Sequence, residues 1–189
     1  EGRVKKTNPN IYLDFNAIGK GYAVDVISSM MENLGYSNTV VEIGGELHAK
    51  GKHILKNSQW TVAIDAPKLN GDDRELLRTL KLENQALATS GNYRKYRIDD
   101  DGNKIVHTIN PLNGTARPSK VLSASVVAAD CMTADAYATA LMSMPLSMLE
   151  EQPVEGIEYM LIFAGEDGAY NLQLSPKFPS LNLPFYKQE

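Results

Sequence analysis

Residues 80–109, LKLENQALATSGNYRKYRIDDDGNKIVHTI, hold four short apolar runs in succession with no helical repeat between them. Leu80–Leu82 and Ala86–Ala88 are two β-leaning runs separated by three polar residues. Arg94–Ile98 and Lys104–Ile109 flank Asp99-Asp100-Asp101-Gly102-Asn103, a composition that favours a hairpin turn. Strands that follow one another this directly pair antiparallel, because a parallel pair needs a long crossover.

The pattern continues on both sides. Toward the N-terminus, Trp60–Ile64 alternates as a strand, and Thr39–Ile43 predicts a buried strand broken by Gly44-Gly45, with Leu47–Ala49 continuing beyond. Ile11–Phe15 predicts a further short strand ending at a turn that carries Gly19 and Gly21. Ala23, Ile27, Met30, Met31 and Leu34 recur at helical spacing, and Gly35 stands where a helix C-terminus calls for it. Toward the C-terminus, Val121–Ala128 is an apolar strand. Met132, Ala136, Ala140, Leu141 and Met144 then trace a helix face that Pro145 ends. Tyr159–Ala164 and Tyr170–Leu174 form the last strand pair, and residues 175–189, with three prolines, predict an extended tail. The fold class expected is α+β, with a largely antiparallel sheet and a few packed helices.

The chain's 189 residues suffice for one domain with a substantial core. A formal charge of −4 and no concentrated basic face argue against nucleic acid as a partner. A polyanionic small molecule remains compatible if a metal or backbone amides meet its charge. One cysteine, Cys131, allows neither an internal disulfide nor a thiolate zinc cluster. No run approaches eighteen apolar residues, the length of a membrane-spanning helix. The start at Glu1, without a basic-then-apolar leader, reads as a processed, cleaved or truncated terminus.

Five short motifs could carry chemistry, and each has a bland reading that wins when it stands alone. In Asp14-Phe15-Asn16-Ala17-Ile18-Gly19-Lys20-Gly21, a helix start with glycines and Lys20 would attract phosphate. A tight turn with a solvated lysine explains it better on pattern alone, since neither a dinucleotide fingerprint nor a Walker A loop is completed. Glu42-Ile43-Gly44-Gly45-Glu46 marks a bulge or a close backbone approach. Thr89-Ser90-Gly91-Asn92-Tyr93 lacks the Gly-x-Ser-x-Gly elbow, so Ser90 is expected as a hydrogen-bonding turn residue rather than a nucleophile. His107, in His107-Thr108-Ile109-Asn110-Pro111, has the titration range of a general base, but a lone strand histidine is more often structural. Asp135 and Thr139 lie four apart, share one helix face and could offer two oxygens to one cation, which suits Mg²⁺. An exposed Asp and a Thr folded onto its own helix is the bland alternative.

The order of the motifs says more than any one of them. LDFNAIGKGYAVD (13–25), VEIGGELHAKG (41–51), ATSGNYRKY (88–96), HTINPLNG (107–114) and TADAYATAL (133–141) together resemble the ApbE family of FAD:protein FMN transferases. The resemblance runs over roughly residues 11–174 and implies an ApbE-like, T-fold-like architecture. It further implies that residues 1–174 are the C-terminal, metal- and pyrophosphate-binding portion, with the family's N-terminal region absent from this sequence. Carried over residue by residue, it implies a Mg²⁺ site from the carbonyl of Ala17 with Asp135 and Thr139. Asp14, Lys20 and the backbone near Ile109 would contact FAD, and His107 would be the base. The activity implied is Mg²⁺-dependent transfer of FMN from FAD to a Thr or Ser hydroxyl of an acceptor protein, releasing AMP. A Mg²⁺-dependent FAD pyrophosphatase and a non-catalytic flavin-binding protein are the alternatives. The expected place is the bacterial cell envelope, on the periplasmic or extracytoplasmic face of the inner membrane. Attachment there would run only through a lipid on an N-terminal cysteine outside this sequence.

Overall fold

The computed structural model describes residues 2–67, 76–92, 96–98, 104–106, 108–110, 114–116, 121–144, 154–165 and 170–181. The elements run α1 (Gly19–Asn33), β1 (Thr39–Ile43), β2 (Glu46–Lys50), a single 3-10 turn (Ile54–Lys56), β3 (Trp60–Asp65), β4 (Leu76–Leu82) and β5 (Gln85–Gly91). They continue with β6 (Tyr96–Ile98), β7 (Lys104–Val106), β8 (Val121–Ala128), α2 (Cys131–Ser143), β9 (Glu158–Ala164), β10 (Tyr170–Leu174) and β11 (Ser180–Leu181). A six-stranded sheet in the order β1-β2-β5-β8-β9-β10 is accompanied by β11-β4-β3 and by the β6-β7 ribbon. Every pairing among the described residues is antiparallel, as the succession of short runs predicts.

The six-stranded sheet is covered on both faces, so β8 is buried almost without interruption, Ser123 and Ser125 included. Successive side chains alternate between faces. Ala88, Ala124, Val126 and Leu161 meet Ala134, Ala138, Leu141 and Met142 of α2. Leu87, Val127, Met160 and Ile162 meet Ile64, Leu80, Leu82 and Phe178 on the side of the smaller sheet. A third, small cluster of Val24, Ala86 and Cys131, with Val41 and Ile43 against it, joins α1 to the edge of the large sheet.

Several expectations are corrected. Ile11–Phe15 forms no strand: Ile11, Tyr12, Leu13 and Phe15 are all exposed, and a strand needs a paired neighbour and a covered face. β1 is only half-buried, and Gly44-Gly45 is the turn of a hairpin rather than a break in one strand. Both glycines have positive φ (60° and 100°), as a two-residue turn matched to strand twist requires. Ser90 lies within β5, not in a turn. The ribbon's second strand is described over Lys104–Val106, Thr108 and Ile109 are not in a strand, and residue 107 and the turn at 99–103 lie outside the described residues. α2 buries Cys131, Ala134, Asp135, Ala138, Leu141 and Met142, so its inner face is rotated from the one the apolar spacing suggests. The described part of the expected tail, residues 175–181, is recruited by the core: Phe178 is buried and Ser180–Leu181 pair with β4. Gly35 does terminate α1. Its amide donates to the Glu32 carbonyl and that of Tyr36 to Met31, a Schellman arrangement.

Candidate functional site

The first turn of α1 lies against the first half of α2, and a glycine permits the contact. A Cβ on Gly21 would stand 2.3 Å from the Cys131 carbonyl oxygen and 2.8 Å from Asp135 Cβ. The Gly21 amide, which in a helix extended one turn back would bond the Ala17 carbonyl, donates instead to Asp135 Oδ2 at 3.0 Å. One amide thus ties the buried carboxylate to the turn that carries Ala17 and leaves the Ala17 carbonyl without its helical donor.

Asp25 and Lys20 add further polar contacts at the junction. Asp25, one turn along α1, accepts from the amides of Cys131 (2.9 Å) and Met132 (2.8 Å) and pairs with His48 Nδ1 at 2.8 Å. Asp25 therefore caps α2 from outside, beside the local cap in which Asp130 accepts from the Thr133 amide at 2.8 Å. Lys20 donates to Glu46 Oε1 at the start of β2. Glu46 is buried, and its Oε2 has no hydrogen-bond partner among the described residues.

Burial drives the electrostatics. It pushes the Asp135 carboxyl up from the usual range, against the Gly21 amide and Lys20, which pull it down. Burial likewise raises Glu46, opposed by Lys20 and reinforced by the charge of Asp135. The buried Cys131 thiol is pushed far up by burial and then by Asp25, so it is no nucleophile at neutral pH. Thr139, one turn beyond Asp135, exchanges a hydrogen bond with Ser90 Oγ at 3.2 Å, which steadies its hydroxyl against β5.

Ala17, Asp135 and Thr139 supply a carbonyl, a carboxylate and a hydroxyl, the hard oxygen donors that Mg²⁺ takes. A buried carboxylate whose proton affinity is raised is one that a divalent cation would compensate, so the residues fit that ion. No group of three His, Cys, Asp or Glu side chains that could hold a metal occurs among the described residues. Asp14 lies exposed before α1, its carboxylate turned back on Asn16 (2.7 Å to the amide, 3.0 Å to Nδ2). Ile109 is exposed, beyond Thr108, whose hydroxyl donates to Asn92 Oδ1 at 3.1 Å. His107 lies outside the described residues.

Sequence reasoning did not single out Glu46, Asp25, His48 or the Ser90–Thr139 contact as parts of this site. Only Glu46 left a signal, an acidic residue directly after a glycine pair at a strand start.

The ApbE family model matches residues 1–160. The chain is 38% identical over 141 residues to the FAD:protein FMN transferase of Vibrio cholerae serotype O1, covering 75% of this chain and 41% of that protein. To the FAD:protein FMN transferase of Escherichia coli K12 it is 30% identical over 178 residues, covering 94% of this chain and 49% of that one. Among solved structures, the flavin transferase ApbE from V. cholerae superposes with a TM-score of 0.72 at 31% identity, over 90% of this chain and 52% of that one. The apbe protein of Thermotoga maritima gives 0.72 at 28% identity, over 88% of this chain and 52% of that one. The chain thus spans about half the length of the proteins it matches, or less.

Proposed function

The chain belongs to the ApbE family, and from that premise we propose that residues 1–174 form the metal- and pyrophosphate-binding portion of an enzyme that moves FMN from FAD to a protein. The observation that carries this reading is the Gly21 amide on Asp135. It joins a buried carboxylate to the helix start that bears Lys20 and follows Ala17. Such a place would suit a divalent cation and the phosphate groups of a dinucleotide.

In the proposed reaction, a Thr or Ser hydroxyl of the acceptor attacks the FMN phosphorus of FAD. The new P–O bond forms as the bond to AMP breaks, and AMP leaves with the bridging oxygen. His107 takes the hydroxyl proton. Ala17, Asp135 and Thr139 would hold Mg²⁺, which when bound supplies Lewis-acid stabilisation of the charge on the leaving phosphate. Lys20 meets the pyrophosphate, and Asp14 and the Ile109 backbone are the proposed outer contacts with FAD. Little covalent chemistry is asked of the protein, since phosphoryl transfer depends mainly on positioning and charge.

The relatives are bacterial, and no helix among the described residues is long and apolar enough to cross a membrane. The proposed location is the extracytoplasmic face of the inner membrane, through a lipid on an N-terminal cysteine outside this chain. Cys131 is buried and cannot be that residue.

The test is product balance. Full-length protein is incubated with FAD, Mg²⁺ and a Thr-containing acceptor peptide. AMP should match flavinylated peptide, with little free FMN, and Asp135→Ala should abolish both products. His107→Ala should slow transfer by about 10²–10⁴-fold, the range for losing a general base. Free FMN equal to AMP despite a competent acceptor would replace transfer with FAD hydrolysis.

A further inference from the structure

We infer that Glu46 is a positioning residue that holds the Lys20 ammonium in place for the pyrophosphate; the inference rests on the function proposed above. Lys20 is on the first turn of α1 and Glu46 is the first residue of β2, twenty-six positions apart. The Gly44-Gly45 turn brings them together: a Cβ on Gly44 would lie 3.8 Å from both Glu46 Oε2 and Lys20 Cδ. The turn thus folds back over the ion pair.

The pair is asymmetric. The Glu46 side chain is 2% exposed and that of Lys20 50% exposed. The carboxylate is therefore a fixed internal anchor, while the ammonium remains reachable from solvent. A lysine has a flexible four-carbon stem, and immobilising it costs rotamer entropy. A buried anchor meets that cost during folding, before any ligand arrives, which is preorganisation. Among the described residues, Lys20 is the side chain that Glu46 bonds: Oε1 accepts from it, and Oε2 has no hydrogen-bond partner. A carboxylate placed there for packing alone would be a poor choice, since burying it unpaired is costly.

The sign of one substitution separates this from simple electrostatics. A negative charge beside a site for a polyanion repels the ligand, so removing it by Glu46→Gln should tighten FAD binding if charge were all that mattered. Positioning predicts the opposite. In the full-length protein with Mg²⁺, FAD titration by flavin fluorescence should show Glu46→Gln binding about tenfold more weakly, the loss of one charge-assisted hydrogen bond. The KM for FAD should rise in step, while kcat at saturating FAD stays within about threefold, because the anchor acts on the bound phosphate rather than on the proton transfer. In a Lys20→Met background, Glu46→Gln should cost no further affinity. Unchanged or tighter FAD binding by Glu46→Gln overturns the inference. So does a fall in kcat at constant KM, the signature of a smaller folded fraction, or a further tenfold loss in the Lys20→Met background. If the wild type binds FAD but gives no flavinylated peptide, the transfer reaction falls and the titration still decides the role of Glu46. If the wild type binds no FAD, both fall.

Discussion

α1 and α2 are of similar length, 15 and 13 residues, and lie against each other, yet they are held by different forces. α2 is set into the main core through Ala134, Ala138, Leu141 and Met142, packed on β5 and β8. α1 buries only Gly21, Val24 and Ser28, while Tyr22, Val26, Met30 and Leu34 face outward. Polar contacts hold it instead: the Gly21 amide on Asp135, Asp25 on the start of α2, Lys20 on Glu46, and Lys50 on Glu32 at 2.6 Å. The last of these lowers the Glu32 carboxyl, through the Lys50 hydrogen bond first. Hydrophobic burial is non-directional and sets how firmly an element is held, whereas hydrogen bonds and a close glycine contact set its register. The helix that carries Lys20, just after Ala17, is thus the one placed by directional contacts.

The largest effect expected from this contrast is in the core helix. Met142 is 1% exposed, and Met142→Ala should cost about 2–5 kcal/mol, the range for emptying a packed site, read as a shift of the urea midpoint. A loss below about 1 kcal/mol would mean that α2 is not anchored by burial.

Gly21→Ala tests the junction itself. The added methyl meets backbone atoms of Cys131 that cannot rotate away, and a cost of about 1–3 kcal/mol is expected even though alanine is the better helix former. The helices must separate to admit it, so FAD turnover should fall by more than stability accounts for. Full activity with the methyl in place would show that the close approach is unnecessary.

A smaller effect concerns pH. The Glu46 carboxyl is raised above its ordinary value of 4.5 in the folded state, so between that value and the folded one the native protein binds more protons than the unfolded chain. Its contribution to stability is therefore greatest below about pH 4.5 and declines as pH rises through that window. Glu46→Gln should remove the decline, so its unfolding free energy should gain on that of the wild type as pH rises. A constant difference from pH 4 to 8 would contradict the assigned burial.

The smallest effect completes the matched pair. Met30 of α1 is 53% exposed, and Met30→Ala should stay within about ±0.5 kcal/mol of wild type. A loss comparable to that at Met142 would show that something in the full-length protein covers this face of α1.

Much of this could be read from the chain alone, for physical reasons. The strands β3, β4, β5, β8, β9 and β10 announce themselves because a strand's side-chain period and apolar content are local properties. The stop at Gly35 is local too. So is the shared face of Asp135 and Thr139, since helix geometry puts residues four apart together whatever surrounds them. What periodicity does not encode is which partner a face will meet. The apolar spacing of α1 suggests an inward stripe, yet only tertiary packing turns Gly21 and Val24 in and Met30 and Leu34 out. The exchange of the Gly21 amide from Ala17 to Asp135 spans 114 positions, and the Lys20–Glu46 pair spans 26. Both exist only because a missing Cβ and a two-glycine turn let separate backbones come close, and such contacts are settled by three-dimensional approach rather than by any pattern along the chain.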